Sequence, residues 1–245
     1  MKNINWSELG FGYFKTDYNV RCEYKDGKWG ELYATEDVNM NIHMASTCLH
    51  YGQEVFEGLK AFRGADGKVR LFRVEENAKR MINSGEYLKM AVPSVELFTK
   101  ACIEAVKLNA DYIPPYGSGA SLYLRPMLIG VGPQVGVKPS ADYLFAVFVT
   151  PVGPYYKDGF NCIKVIIDYD HDRAAPKGTG HVKVGGNYAA SLDSGEIAHQ
   201  KGFASVIFLD PATKQYIDEC SAANFFGIRD GKYITPDSHS VLPSI

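Results

Sequence analysis

Residues 18–24 (Tyr-Asn-Val-Arg-Cys-Glu-Tyr) alternate apolar with polar and predict a strand. Asp26-Gly27 then reads as a tight hairpin turn, with residues 28–33 as the returning partner. The stretch 48–63 mixes aromatic residues with Glu54, Glu57, Lys60 and Arg63, more charge than a pure core segment carries. Asp66-Gly67 is a second hairpin signal, followed by a short strand at 69–72. From 74 to 90 the period becomes helical, with Val74, Ala78, Met81, Ile82, Gly85 and Leu88 on one face. A second helix is predicted over 94–109, with Ser94 as N-cap and Leu97, Phe98, Ala101, Cys102, Ala105 and Val106 turned inward. Period two returns at 121–128, placing Leu122 and Leu124 on one face and Tyr123 and Arg125 on the other. The near-continuous apolar run 142–150 predicts a buried strand, closed by Pro151-Val152-Gly153-Pro154.

Beyond that Pro/Gly cluster, 162–168 and 204–210 read as strands. Between them, from Tyr188, Ala189, Leu192, Ile197 and Ala198 suit the buried face of one helix. Segments 215–219, 224–228 and 232–235, with a turn at Asp230-Gly231, predict an antiparallel set. Alternating helices and strands with many hairpins define a mixed α/β (α+β) class. The expected division is a small N-terminal α/β domain over 1–150, a linker over 151–158 and a C-terminal domain over 159–245.

Composition narrows the partners. A chain of 245 residues, 46% hydrophobic, buries one large core or two modest ones. Net charge −2 and a pI near 6.3 give no electrostatic footprint for nucleic acid or an anionic membrane. The start Met1-Lys2-Asn3-Ile4-Asn5-Trp6 lacks a signal-peptide core, and no apolar run approaches a membrane span, so a cytoplasmic protein is expected. Five widely spaced cysteines without Cys-x-x-Cys, and histidines without ligand spacing, predict buried free thiols and no metal.

The chemistry centres on Lys183, within Gly-His-Val-Lys-Val-Gly-Gly-Asn-Tyr. Turn formers precede it, Gly185-Gly186 let backbone approach a bound group, and a helix is expected to follow, a common setting for function. Taken singly, Lys183 reads as a solvated lysine, Glu219 as an acidic strand end, Tyr188 as a core tyrosine and Arg80 as a solvated helix residue. Tyr123 and Arg125 fit either the wall of an anionic pocket or an exposed sheet face.

In combination, Lys183 through Tyr188 followed by Glu219-Cys220-Ser221-Ala222-Ala223-Asn224 resembles the fold-type IV pyridoxal-phosphate enzymes, most of all the branched-chain amino-acid aminotransferases. Tyr51-Gly52-Gln53-Glu54-Val55-Phe56-Glu57-Gly58-Leu59-Lys60-Ala61-Phe62 and Leu122-Tyr123-Leu124-Arg125-Pro126 carry the likeness to that family. The resemblance implies a larger C-terminal domain with a barrel-like sheet and pyridoxal 5'-phosphate as cofactor. It also implies transamination of leucine, isoleucine and valine with 2-oxoglutarate, within a homodimer. It casts Lys183 as the Schiff-base lysine and proton carrier, Glu219 as partner of the ring nitrogen, Tyr188 as donor to the ring 3'-oxygen and Arg80 as a phosphate ligand. Phe11, Tyr51, Phe56, Tyr123, Arg125 and Tyr155 would shape the substrate pocket, with Tyr51 and the Val135-Gly136-Val137 loop crossing to the partner subunit. Family chains run past this length, so the C-terminal domain is expected to be incomplete. Ile245 would lie at the edge of a phosphate-binding helix N-terminus. Within the same fold, a D-amino-acid aminotransferase or aminodeoxychorismate lyase, or a non-catalytic fragment, also fits these residues.

Overall fold

The hairpin at Asp26-Gly27 forms. β1 (Asn19–Lys25) turns through Asp26 (φ 51°) and Gly27 (φ 77°) into β2 (Lys28–Trp29), the left-handed pair that matches strand twist. β3 (Tyr33–Thr35) then pairs back along β1. The charged aromatic stretch resolves into α1 (Thr47–Tyr51), β4 (Glu54–Phe56) and β5 (Leu59–Arg63), and β6 (Val69–Leu71) completes the second hairpin. Helices α2 (Val74–Tyr87) and α3 (Val95–Leu108) follow, and Ser94 caps α3 by accepting from the Leu97 N–H at 3.2 Å. β7 (Ser121–Gly130) and β8 (Tyr143–Val152) close one antiparallel sheet in the order β2-β1-β8-β7-β5-β6, with β3 on β1 and β4 on β7. α3 packs on β1, β7 and β8, and Phe98 stacks on Phe145 at 5.8 Å in the middle of the core.

This computed structural model describes residues 2–155 and 161–245. Its chain divides into two units, Met1–Phe160 and Asn161–Ile245. Of the linker expected over 151–158, Pro151 and Val152 finish β8, with Pro151 opposite Leu122, and 156–158 lie outside the described residues.

In the second unit β9 (Val165–Asp168) runs parallel to β10 (Ser205–Leu209), the crossover between them carrying α4 (Gly185–Ala189) and α5 (Leu192–Gln200). β11 (Ile217–Cys220) pairs antiparallel with β10. β12 (Gly227–Arg229) and β13 (Lys232–Ile234) form a separate hairpin through Asp230 (φ 51°) and Gly231 (φ 70°), and of the expected antiparallel set the link to β11 is an isolated antiparallel bridge between Glu219 and Asn224. The single helix expected from Tyr188 is two. Ser191 turns its hydroxyl back to the Tyr188 carbonyl at 2.9 Å, and Leu192, predicted to be buried, is 71% exposed. Ser194 and Ala198 make the buried face instead, and Ala198 joins a small core with Val206 and Phe208. The five cysteines are all free; Cys22 and Cys102 are buried, whereas Cys162 is exposed, against the expectation of uniformly buried thiols. Among the described residues no helix is long and apolar enough to cross a membrane.

Candidate active site

Lys183 sits in the loop that leads into α4, and Asn187 fixes that loop. The Asn187 amide donates to the carbonyls of Thr179 (2.6 Å) and Val182 (2.8 Å), while its oxygen accepts from the Thr179 hydroxyl at 2.7 Å. Two of these three bonds from one buried side chain satisfy turn carbonyls that an irregular loop would otherwise leave unpaired. Gly180 is required here by space. A β-carbon on it would lie 2.0 Å from the Ser240 carbonyl oxygen. Held by this frame, the Lys183 ammonium donates to the Tyr188 hydroxyl at 2.6 Å and lies 5.0 Å from the centre of its ring. Tyr188 is thus bound to the lysine five residues before it.

Glu219 lies on β11, 4% exposed. Its carboxylate pairs with Arg173 and accepts from the Leu242 N–H (3.3 Å) and the Asn224 side-chain amide (3.2 Å). Burial pushes this carboxyl up to about 7 against the opposing pull of Arg173, Lys183 and the Leu242 N–H, while neighbouring Asp218 adds to the rise. The field of Lys183 therefore reaches Glu219 within one unit. Sequence reasoning missed Arg173. It sits in Asp-His-Asp-Arg-Ala-Ala-Pro, whose turn-rich composition suggests a loop and whose charges suggest solvent, and the one usable signal was an arginine ahead of the glycine turn. Ser240 was missed as well; its hydroxyl donates to the buried Asp218. Ile245 ends the chain half-buried, and the backbone donor that reaches Glu219 from this end belongs to Leu242.

The first unit gathers another group. Phe11 meets Tyr123 and Tyr155 edge-on at 5.2 and 5.3 Å, and the Arg125 guanidinium lies 4.7 Å from the Phe56 ring centre and 5.3 Å from that of Tyr123. Arg125 also donates through Nε to the Tyr123 hydroxyl at 3.1 Å. Period two on β7 produces this face, with Leu122 and Leu124 fully buried behind it. Gly58 keeps backbone close to it, since a β-carbon there would meet the Tyr123 hydroxyl at 2.4 Å. Five of the six residues expected around a substrate thus share one aromatic and cationic surface. Tyr51 belongs elsewhere: from the end of α1 its hydroxyl donates to the Val135 carbonyl.

Arg80, on α2 of this same unit, engages Glu57 through Nε (2.7 Å) and Nη2 (2.8 Å). Glu57 is fully buried and also accepts from Asn77 at 2.8 Å. This carboxylate absorbs much of the Arg80 charge, and Asn77 is a polar member of the helix face that the apolar pattern could not announce.

An amine hydrogen-bonded to a phenol, within the field of a buried carboxylate, is a donor set suited to aminotransferase chemistry, and comparison with known proteins agrees. The chain belongs to the amino-transferase class IV family, whose model matches residues 54–245. It is 54% identical over 251 residues to the branched-chain-amino-acid aminotransferase of Haemophilus influenzae, and 51% identical over 247 residues to that of Helicobacter pylori; each match spans 100% of this chain and 73% of the relative. Among solved structures, the branched-chain amino acid aminotransferase from Escherichia coli superposes with a TM-score of 0.72 at 29% identity, covering 94% of this chain and 70% of that one. The T.th. branched-chain amino acid aminotransferase complexed with N-(5'-phosphopyridoxyl)-L-glutamate gives a TM-score of 0.71 at 27% identity, over 95% of this chain and 71% of its own.

Proposed function

We propose that this chain is a branched-chain aminotransferase, moving the amino group between leucine, isoleucine or valine and 2-oxoglutarate with pyridoxal phosphate as cofactor. The observation that carries the reading is the Lys183, Tyr188 and Glu219 set in one unit, in a chain 54% identical to a protein of that name. The set fits the cofactor's demands: a primary amine, a hydroxyl donor held beside it, and a buried carboxylate whose desolvation an arginine partly offsets. When bound, the cofactor supplies the electron sink that lets an amino acid lose its Cα proton.

Lys183 Nζ would hold the cofactor and carry the substrate proton as base and then acid. Tyr188 would orient that amine and donate to the ring oxygen. Glu219 would keep the ring nitrogen protonated. Phe11, Phe56, Tyr123 and Tyr155 offer an apolar surface for aliphatic side chains, and Arg125 a cation for the substrate carboxylate. Arg80 and Ile245 each remain candidates for the phosphate; because Glu57 already engages the Arg80 fork, a modest share of the binding is expected from that arginine. We also propose a cytoplasmic homodimer. Val135 and Val137, each 85% exposed in the loop that Tyr51 anchors, support an interface there.

The test is chemical. Borohydride reduction in the presence of cofactor should leave a mass adduct on the peptide containing Lys183. Lys183→Ala should fold, lose the adduct, and lower transamination by at least about 10²-fold, the lower end for losing general acid–base transfer. An adduct on a different lysine would sink the assignment.

A further inference from the structure

Arg173 is a buried cation for which the catalytic motifs supply no role. It is 8% exposed, and its guanidinium pairs with Glu219. It also donates to the carbonyl of Gly180 at 2.8 Å and to that of Ser240. These partners come from three places in the second unit: the turn before Lys183, strand β11, and the 238–242 segment whose Leu242 N–H also reaches Glu219. A buried arginine costs free energy unless its donors are matched, and here they are matched by one carboxylate and two carbonyls, so its charge is directed at Glu219.

We propose that Arg173 is a positioning residue that holds Glu219 in its anionic form, so that the proton Glu219 shares with the ring nitrogen of the cofactor resides on the nitrogen. The inference rests on the functional reading above. Its physical basis is a competition between two bases for one proton in a site of low dielectric. There the neutral pair, carboxylic acid and unprotonated nitrogen, is favoured over the ionic pair unless another charge stabilises the carboxylate. Charged side chains bear on Glu219 in both directions. Asp218 raises its proton affinity, whereas Arg173 and Lys183 lower it, Arg173 more strongly. The amide donors of Leu242 and Asn224 fix the carboxylate's orientation without supplying charge. Even with Arg173 present, burial leaves the carboxyl near 7. Without that cation Glu219 would stay protonated across the neutral range and face the nitrogen as a donor rather than an acceptor.

The test uses the full chain without cofactor first. With glutamate labelled at the side-chain carboxyl carbon, the Glu219 signal is assigned by its loss in Glu219→Gln and titrated from pH 4.5 to 9. Arg173→Gln, which can still donate to the Gly180 and Ser240 carbonyls, should raise the midpoint by at least about one unit, a tenfold change in proton affinity. Arg173→Lys should restore most of the difference. A midpoint within a few tenths of wild type in a folded Arg173→Gln overturns the proposal. Should that variant not fold, the wild type decides: the Arg173 guanidinium nitrogen signals must move with the Glu219 midpoint, and signals indifferent to pH overturn it equally. With ¹⁵N-labelled cofactor added, the ring-nitrogen shift should be that of a protonated ring in wild type and should move toward the unprotonated value in Arg173→Gln. Borohydride trapping at Lys183 separates the two readings. No adduct removes the functional reading and this role with it, whereas an adduct with an unmoved Glu219 midpoint overturns the Arg173 inference alone.

Discussion

Glu57 and Glu219 are both buried carboxylates paired with arginine, and their remaining neighbours set them apart. Glu57 receives the Arg80 fork and the Asn77 amide. Replacing it with leucine strands those donors, so Glu57→Leu should destabilise the first unit by about 3 kcal/mol or more, measured by urea unfolding. For Glu219 the expectation concerns pH. Its folded value near 7 stands above the ordinary 4.5, so between those values the folded chain binds more protons than the unfolded one. Stability contributed by this group is complete below about 4.5 and declines as pH rises through 7, by a total on the order of 3 kcal/mol. Glu219→Gln cannot titrate. Comparing urea midpoints at pH 5 and pH 8, the wild type should lose more than the variant, and parallel losses would contradict the raised value. The Cys102 thiol is also pushed up by burial, chiefly by desolvation and then by the Glu57 charge, so it should resist alkylation in the folded chain while exposed Cys162 reacts.

At the level of elements, α3 formed as its pattern predicts because three local signals agree: the Ser94 cap, the apolar stripe and the polar end at Asn109. Ser94→Ala should therefore cost about 1 kcal/mol, visible as a lower urea midpoint and faster amide exchange at Leu97. The strand β7 was equally legible, since period two determines which residues share a face. The helix after Lys183 was not. Its apolar residues are few, and Ser191 bonds to the backbone and breaks the run, so the register of α5 was settled by the small core of Ala198, Val206 and Phe208. The same limit applies to β11. A short strand flanked by turns does not say which neighbour it joins, and pairing with β10 was decided by non-local contacts.

Over the whole chain, stability rests on two unequal cores, one to each unit. In the first, Phe98 is fully buried against Phe145 beneath the eight-stranded sheet. Phe98→Ala should cost about 3–5 kcal/mol through lost transfer energy and the cavity left behind, seen as accelerated amide exchange in β7 and β8. By itself the sequence determined the features that depend on neighbours along the chain: the hairpins at Asp26-Gly27 and Asp230-Gly231, the two long helices, the two-faced strand bearing Tyr123 and Arg125, and the linear motif around Lys183. Tertiary structure decided what depends on distant partners. It spent the Arg80 fork on Glu57, seated Tyr51 against Val135, and brought Arg173 to Glu219 across 46 positions of chain, beside the turn at Gly180 and the carbonyl of Ser240. The reason is physical. Period and turn chemistry are written in adjacent residues, whereas a buried charge shows its partner only when the fold has removed water from both.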